Sequence, residues 1–222
     1  MASEGFKRPM TAQEAVLAEL RRKILTGQWA PGSPIRQDSV AADLGVSRVP
    51  VREALKILEG EGQVSYVPHK GYIVREFDES ELLEVYRLRE LLEDEAVREA
   101  IPKLTDDDLE RMRGAMNEME ALEPGDVAEL SDANRRFHLA LIEAAGMPRL
   151  QHFIRLLRDW ADAYRAMLYI DADSLSLTYQ EHRAIYEACI DRDSGAVIRL
   201  MAQHRSHTIE KLEAMLKDQA AV

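Results

Sequence analysis

One short segment, residues 45–59, constrains the fold of this chain more than any other part of the sequence. Ser47 is a suitable N-cap, and Pro50 falls in the first turn, where its missing N–H costs little. Arg48 and Arg52 are four residues apart and therefore share one exposed face of the helix. The opposite face is apolar and consists of Val51, Leu55 and Leu58. This pattern predicts a helix that buries one side and presents two guanidinium groups to solvent.

A helix of this kind suits the major groove of DNA. An arginine can bond O6 and N7 of guanine together, and each good pair contributes about 1 to 3 kcal/mol of base discrimination. The preceding residues 37–44 form a short predicted helix that Gly45 ends, because glycine tolerates a left-handed turn. The two segments together predict a helix-turn-helix. An ordinary helix pair with surface arginines is the alternative, and the flanking segments argue against it.

The flanking segments add a helix before this unit and a hairpin after it. The upstream helix stops at Gly27, and its apolar face contains Val16, Leu17, Leu20, Ile24 and Leu25. Downstream, residues 64–67 and 72–74 predict two strands joined by a polar tip. This order of elements predicts a winged helix, whose tip residues His69 and Lys70 can meet phosphate or the minor groove.

Residues 14–75 resemble the N-terminal domain of the GntR family of bacterial transcription regulators. The matching positions are Ile24-Leu25, Gly27, Pro31-Gly32, Gly45-Val-Ser-Arg48, Pro50-Val-Arg-Glu-Ala-Leu55, Leu58-Glu59, Gly62 and Gly71. The resemblance implies that Arg48 and Arg52 contact bases. It also implies that the DNA backbone is contacted or approached by Arg36, Ser47, Lys70 and Gly71. The complete set of expected DNA-binding residues is Arg36, Ser47, Arg48, Pro50, Arg52, His69, Lys70 and Gly71.

The charge of the chain is divided unevenly between two predicted domains, residues 1–77 and 78–222. The net charge is −11, but residues 1–77 carry 11 Lys and Arg against 9 Asp and Glu. The remaining residues carry 18 against 31, so only the first domain is suited to meeting phosphate. Because its excess of positive charge is small, DNA affinity should depend on placed contacts and on salt.

Cysteine usage and hydropathy indicate a cytoplasmic protein. Cys189 is the single cysteine, which excludes an intramolecular disulfide and suits a reducing compartment. No apolar run approaches the roughly 18 residues that span a bilayer, so no membrane partner is expected. We expect frayed tails at residues 1–9 and 218–222.

The second domain has a helical period throughout and no predicted strand. Turn residues divide it into six predicted helices at 79–101, 105–121, 126–145, 148–169, 174–191 and 194–217. The predicted fold class is therefore mainly α. An N-terminal winged helix-turn-helix with a small β-hairpin precedes a C-terminal all-α six-helix bundle.

Three histidines lie on the apolar faces of three of these helices. Asn134 and His138 are four residues apart and can point at one place inside the bundle, where His182 and His204 join them from other helices. Imidazole nitrogens from separate helices suit a divalent transition metal, and a small polar residue one turn away is a common fourth ligand. For each histidine alone, a hydrogen-bonded core residue is the alternative.

The second domain is similar to the helical ligand-binding domain of the FadR branch of the GntR family, called the FCD domain. The matching segments are Asn134-Arg-Arg-Phe-His138, Ala145-Gly146, Glu181-His-Arg-Ala-Ile185 and His204. The resemblance implies a metal site at Asn134, His138, His182 and His204. Asp is usual in the family where Asn134 stands, and the neutral amide should favour an anionic effector. Zn²⁺ is the expected metal, with Ni²⁺ or Mn²⁺ as alternatives.

Four further side chains are candidates for the same region. The resemblance implies that Arg89 faces the ligand and forks a carboxylate, whereas spacing alone favours a pair between Arg89 and Glu93. His207 is expected at the surface or boundary. Trp160 and Tyr164 either line the cavity or belong to the core.

These features predict a ligand-responsive transcriptional regulator of the repressor type rather than an enzyme. We expect a homodimer on an inverted-repeat operator in double-stranded DNA, controlled by a small carboxylate effector. The alternative is a metal-dependent hydrolase that carries a DNA-binding head. Hydrolysis would need an open metal position and a general base beside it. The sequence places no clear acidic base on the same inner faces.

Overall fold

The computed structural model describes residues 10–76, 78–165, 168–169 and 171–220. Contacts divide the chain into two units, Met1–Glu76 and Phe77–Val222. The expectation of frayed tails at residues 1–9 and 221–222 falls outside the described residues. Residues 218–220 instead continue the last helix.

The N-terminal unit contains three helices and a small antiparallel sheet. Its elements are α1 Ala12–Leu25, β1 Pro34–Ile35, α2 Gln37–Asp43, α3 Arg48–Gly60, β2 Val64–Val67 and β3 Gly71–Val74. The predicted helix, helix-turn-helix and hairpin are confirmed. The sheet nevertheless has a third strand, because β1 pairs with β3 on the side opposite β2. Two residues are too few to show a period of two, so β1 could not be predicted from the residue pattern.

The winged helix is held by the apolar face that α3 turns away from its arginines. Val51, Leu55 and Leu58 are completely buried against α1 and the sheet, as predicted. The turn before α3 depends on Gly45, whose φ of +64° lies in the left-handed region. The amide of Val46 donates to the carbonyl of Ala41 at 3.0 Å and closes this turn.

We predict that Gly45→Ala destabilises the protein by about 1 to 2 kcal/mol, because a Cβ disfavours the left-handed backbone. Gly60→Ala is the matched control, since Gly60 is helical and open space surrounds its missing Cβ. The control should be neutral or slightly stabilising. Urea unfolding of both variants measures the difference, and equal stability of the two would contradict the assigned turn.

The C-terminal unit contains six helices in the described residues. They are α4 Glu79–Ala100, α5 Asp106–Glu120, α6 Val127–Glu143, α7 Pro148–Arg165, α8 Ala172–Ile190 and α9 Ser194–Ala220. The predicted six-helix domain is confirmed with small shifts at its boundaries. A short 3₁₀ helix, Ile101–Lys103, follows α4 at the predicted break. The helix predicted at 148–169 ends earlier, at Arg165, and residues 166–167 of that prediction lie outside the described chain.

Apolar packing fixes the three helices that carry the histidines. The main core cluster contains side chains from α6, α8 and α9 that lie one, three or seven residues from a histidine: Phe137, Leu141, Ile185, Cys189, Val197 and Met201. Apolar neighbours at this spacing orient the same face of each helix inward. The six-helix packing thus directs the three histidines into the interior.

The described helices include none with both the length and the apolar character needed to cross a membrane.

Candidate functional site

The start of α3 is exposed and carries no acidic residue in its first turn. Ser47 occupies the N-cap as predicted, but its hydroxyl makes no capping hydrogen bond. Pro50 stands at the third helical position and has no N–H, which removes one of the two amides from which an N-cap hydroxyl accepts. The positive end of the α3 dipole is therefore not neutralised within its own first turn, and such an end favours a phosphate oxygen.

Both arginines predicted to contact bases lie on the exposed face of α3. Nε of Arg48 lies 2.5 Å from a carboxylate oxygen of Asp38 on α2, and Nε of Arg52 lies 3.7 Å from Glu53. More than half of each guanidinium-bearing side chain is exposed, so water screens both pairs and they contribute little stability. Both guanidinium groups can exchange these partners for base edges.

The tip of the wing is a β-turn across residues 67–70. The amide of Lys70 donates to the carbonyl of Val67 at 3.0 Å, and Pro68 occupies the second position. His69 has a φ of +67°, as the third position of a type II turn requires. The turn holds His69 and Lys70 in exposed positions at the end of the hairpin.

An open groove of about 450 Å³ joins the beginning of α2, the beginning of α3 and the wing. It brings together four of the predicted DNA-binding residues, Arg36, Arg48, Lys70 and Gly71. Asp38 also lines the groove and supplies its negative charge. Residues distant in sequence thus share one surface in the N-terminal unit.

Three histidines converge in the interior of the C-terminal unit. His138 on α6, His182 on α8 and His204 on α9 are at most 2% exposed, and one ligand atom from each lies within 4.8 Å of the others. Phe137 stacks on the ring of His182 with centroids 4.3 Å apart. Both ring nitrogens of His138 and His182, and Nε2 of His204, have no hydrogen-bond partner within the described structure.

Burial keeps these imidazoles neutral. It lowers the pKa of His138 and His182 well below 6.5, and neighbouring positive charge from Arg158 and Arg165 lowers both further. Burial also lowers the pKa of His204, although the hydrogen bond with Glu181 partly opposes this. Neutral imidazoles with free lone pairs are the form that binds a metal ion.

Glu181 fixes the ring of His204 from the outside of the cluster. Its carboxylate lies 2.6 Å from Nδ1 of His204, and its other oxygen contacts His207. A carboxylate on one ring nitrogen leaves the opposite nitrogen to act as a ligand. The side chain of His207 is 40% exposed and lies at the boundary, as predicted.

Asn134 is completely buried one helical turn before His138. Its Oδ1, the atom predicted to bind metal, accepts a hydrogen bond from Nη2 of Arg165 at 2.8 Å. An amide oxygen has a second lone pair, so this bond is compatible with metal binding. The role of Asn134 as a ligand stays a prediction.

Arg89 makes the pair that spacing alone favoured. Its Nε donates to Glu93 at 3.0 Å, and the same carboxylate contacts Arg158 at 2.9 Å and Arg205 at 3.2 Å. Burial would raise the pKa of Glu93, but Arg158, Arg89 and Arg205 together hold it at about 2. The contact of Arg89 with an effector stays a prediction, and any such contact would share the guanidinium with Glu93.

The sequence analysis did not identify the buried charges on α7. Three charged residues of α7 are at most 3% exposed: Arg158, Asp162 and Arg165. Asp162 pairs with Arg135, which lies on α6. The expectation that the inner faces lack acids is therefore wrong, because Glu93 and Asp162 are both buried there. Each of these two carboxylates pairs with arginine, and the arginines around Glu93 hold its pKa low. Charged residues within the apolar period of α7 were the available signal.

Two aromatic candidates belong to the core. Tyr164 is 6% exposed and packs in a second apolar cluster with α4 and α9, and Trp160 packs against the same cluster. The hydroxyl of Tyr164 donates to the carbonyl of Asp78 at 3.4 Å. These contacts give both residues a packing role.

Comparison with known proteins matches both units. Residues 12–74 match the bacterial regulatory proteins of the gntR family, and residues 84–207 match the FCD domain. The HTH-type transcriptional regulator McbR of Escherichia coli is 33% identical over 158 residues, which cover 71% of this chain and 72% of McbR. The Nta operon transcriptional regulator of Aminobacter aminovorans is 30% identical, with 79% of this chain and 82% of that protein covered.

A solved structure of E. coli McbR/YncC superimposes with a TM-score of 0.80 at 26% identity, and covers 94% of this chain and 100% of that one. The matched domains and these relatives are those of transcriptional regulators and not of enzymes, so the hydrolase alternative has no support. This chain therefore belongs to the GntR family of bacterial regulatory proteins, as a DNA-binding transcriptional regulator of the FCD-containing type.

Proposed function

We propose that this GntR/FCD regulator acts in the cytoplasm as a metal-containing homodimeric repressor that releases its operator when a small organic acid binds. The observation that carries this proposal is the convergence of three neutral buried imidazoles with unpartnered nitrogens. A purely structural core would satisfy such nitrogens with hydrogen bonds. The FCD match supports membership of the FadR branch and a ligand-binding role for this interior.

DNA contact follows from the exposed surface of the N-terminal unit. Arg48 and Arg52 project from α3 toward base edges, while Ser47 and Lys70 supply donors for phosphate on either side. In a homodimer, two copies of α3 would contact the two halves of an inverted repeat. Asp38 would then be exchanged for a base at Arg48.

We predict that Arg52→Ala relaxes base preference at one position of each half-site, with a loss of about 1 to 3 kcal/mol of discrimination. Lys70→Ala should instead weaken all sequences nearly equally and reduce the slope of affinity against salt by about one. Selection of bound fragments from genomic DNA, followed by fluorescence anisotropy at several salt concentrations, measures both effects. Arg113→Ala is the control, because Arg113 is an exposed arginine of α5.

An inverted repeat should dominate the selected fragments. Fragments without such a repeat, or identical preferences for wild type and Arg52→Ala, would sink the assignment of α3 as the base-contacting helix.

The residues around the histidine cluster fit a divalent metal ion. His138, His182 and His204 offer three neutral nitrogens, and Asn134 offers an oxygen. Three nitrogens and one oxygen suit Zn²⁺, and Ni²⁺ or Mn²⁺ are the other candidates. When bound, the metal would supply a positive charge and an open position for a carboxylate oxygen. The protein holds the imidazoles in place and excludes water from around them.

We predict about one metal ion per purified chain, and its loss in His182→Ala. Removing one of three imidazoles takes away a ligand that the other two cannot replace. His152→Ala is the matched control, because His152 is exposed and lies outside the cluster. Elemental analysis by mass spectrometry gives the metal content. Unchanged metal content in His182→Ala would overturn the proposed site.

Effector control requires a difference in affinity between two states of the protein. An acid that binds the DNA-competent and DNA-incompetent states equally shifts no population, however tightly it binds. We propose that the acid favours the incompetent state. Titration of the metal-loaded protein on its operator with organic acids tests this directly, and tighter DNA binding on addition of acid would reverse the repressor assignment.

A further inference from the structure

Unpartnered polar atoms inside the C-terminal unit are of two chemical kinds. The first kind is the set of imidazole lone pairs already described. The second kind consists of N–H and O–H groups without a hydrogen-bond partner in the described structure: Nε and Nη2 of Arg158, Nε of Arg165, Nε1 of Trp160, Nδ2 of Asn134 and the hydroxyls of Tyr86 and Tyr169. Lone pairs call for a cation, whereas N–H and O–H donors call for an anion with several oxygens.

Two arginines of α7 dominate the donor group. Arg158 and Arg165 are seven residues apart and therefore share one face of the helix. They are 2% and 3% exposed. Arg158 shares the single carboxylate of Glu93 with Arg89 and Arg205. Three guanidinium groups therefore meet one carboxylate at Glu93, and of the three only Arg205 has a second carboxylate, that of Asp94, within ion-pair distance in the described residues.

Arg165 lacks even a shared carboxylate. Its hydrogen bond goes to the neutral amide of Asn134, and no carboxylate in the described part of the chain lies within ion-pair distance of it. The ring of Tyr169 lies 5.9 Å from its guanidinium carbon. A guanidinium buried this deeply needs a negative partner to offset the loss of hydration.

The pKa of Arg158 agrees with this geometry. Burial, together with the positive charges of Arg89 and Arg165, lowers the pKa of Arg158 to about 9 against the opposing effect of Glu93 and Asp162. Arg158 and Arg165 also lower the pKa of His138 and His182. The two arginines are therefore electrostatic neighbours of the histidine cluster.

We propose that the effector is a small dianion whose second anionic group binds between Arg158 and Arg165. This inference rests on the proposed function for the first carboxylate, which lies toward the histidines. The second group is a carboxylate or a phosphate, and both offer oxygens to the unpartnered N–H groups of the arginines. The hydroxyl of Tyr169 can donate to the same group. A monoacid at the histidines would leave Arg165 without an anion and Arg158 with only its share of the Glu93 carboxylate.

The test compares acids that differ only in the second charge. Isothermal titration calorimetry on the metal-loaded full chain uses malonate, succinate and glutarate, together with their singly charged monoamides malonamate, succinamate and glutaramate. Phosphoglycolate and glycolate form the phosphate arm of the experiment. At least one dianion should bind about tenfold to hundredfold more tightly than its singly charged counterpart. Preference for phosphoglycolate over every dicarboxylate would identify the second group as phosphate.

Arg165→Gln should reduce this preference to about one, because the second anionic group loses a guanidinium partner. Arg155→Gln is the matched control, because Arg155 lies on the same helix with 44% of its side chain exposed. The control should keep the full preference. Retention of the preference in Arg165→Gln would overturn the assignment of the arginine.

The wild-type comparison decides the proposal even if Arg165→Gln fails to fold. Equal binding of each dianion and its singly charged counterpart overturns the dianion inference and leaves the proposed organic-acid function standing. Absence of binding for every acid overturns both.

Discussion

Desolvation of polar groups inside the six-helix bundle is the constraint on which the proposed chemistry of this protein depends. An imidazole or a guanidinium that leaves water must find a partner, because unpaired burial is costly. The bundle places three imidazoles and the arginines of α7 in one interior, but supplies too few acceptors and donors to pair them all. The unpaired groups indicate which ligands could pair them. A cation suits the imidazoles, and an anion suits the guanidinium groups.

The N-terminal unit uses the opposite arrangement, in which charge stays in water until DNA arrives. Its arginines are exposed, and their acidic neighbours form weak, screened pairs. Exchange of Asp38 or Glu53 for DNA therefore costs little. The apolar face of α3 is completely buried, so the exposed arginines project from a firmly packed helix. Weak local pairs on a firmly packed helix are compatible with scanning many sequences before one is selected.

Sequence patterns predicted the features that depend on local period and turn chemistry. Val51, Leu55 and Leu58 repeat at helical spacing, and six helices follow from the breaks at proline, glycine and aspartate. The three histidines could be assigned to inner faces for the same reason. Strand β1 was missed because its two residues carry no period, and its pairing depends on a partner almost forty residues away.

Partner choice among charged residues could not be predicted from the sequence. The i, i+4 pair of Arg89 and Glu93 was visible, but the contacts of Arg158 and Arg205 with the same carboxylate cross between helices. Helical spacing shows which face of its own helix a residue occupies, but it does not show which side chains the opposite helix brings to that face. A weak cap at Ser47 could have been predicted from local chemistry, because Pro50 removes one of the two N–H groups that such a cap can use.

The amide at position 134 links these observations to ligand charge. An aspartate there, as the family resemblance leads one to expect, would give Arg165 an internal carboxylate and neutralise it. Asn134 accepts the same hydrogen bond without supplying charge, so Arg165 keeps its full attraction for an external anion. The substitution that weakens the hold on a cation therefore also strengthens the hold on an acid. Both effects favour an effector that carries more than one negative charge.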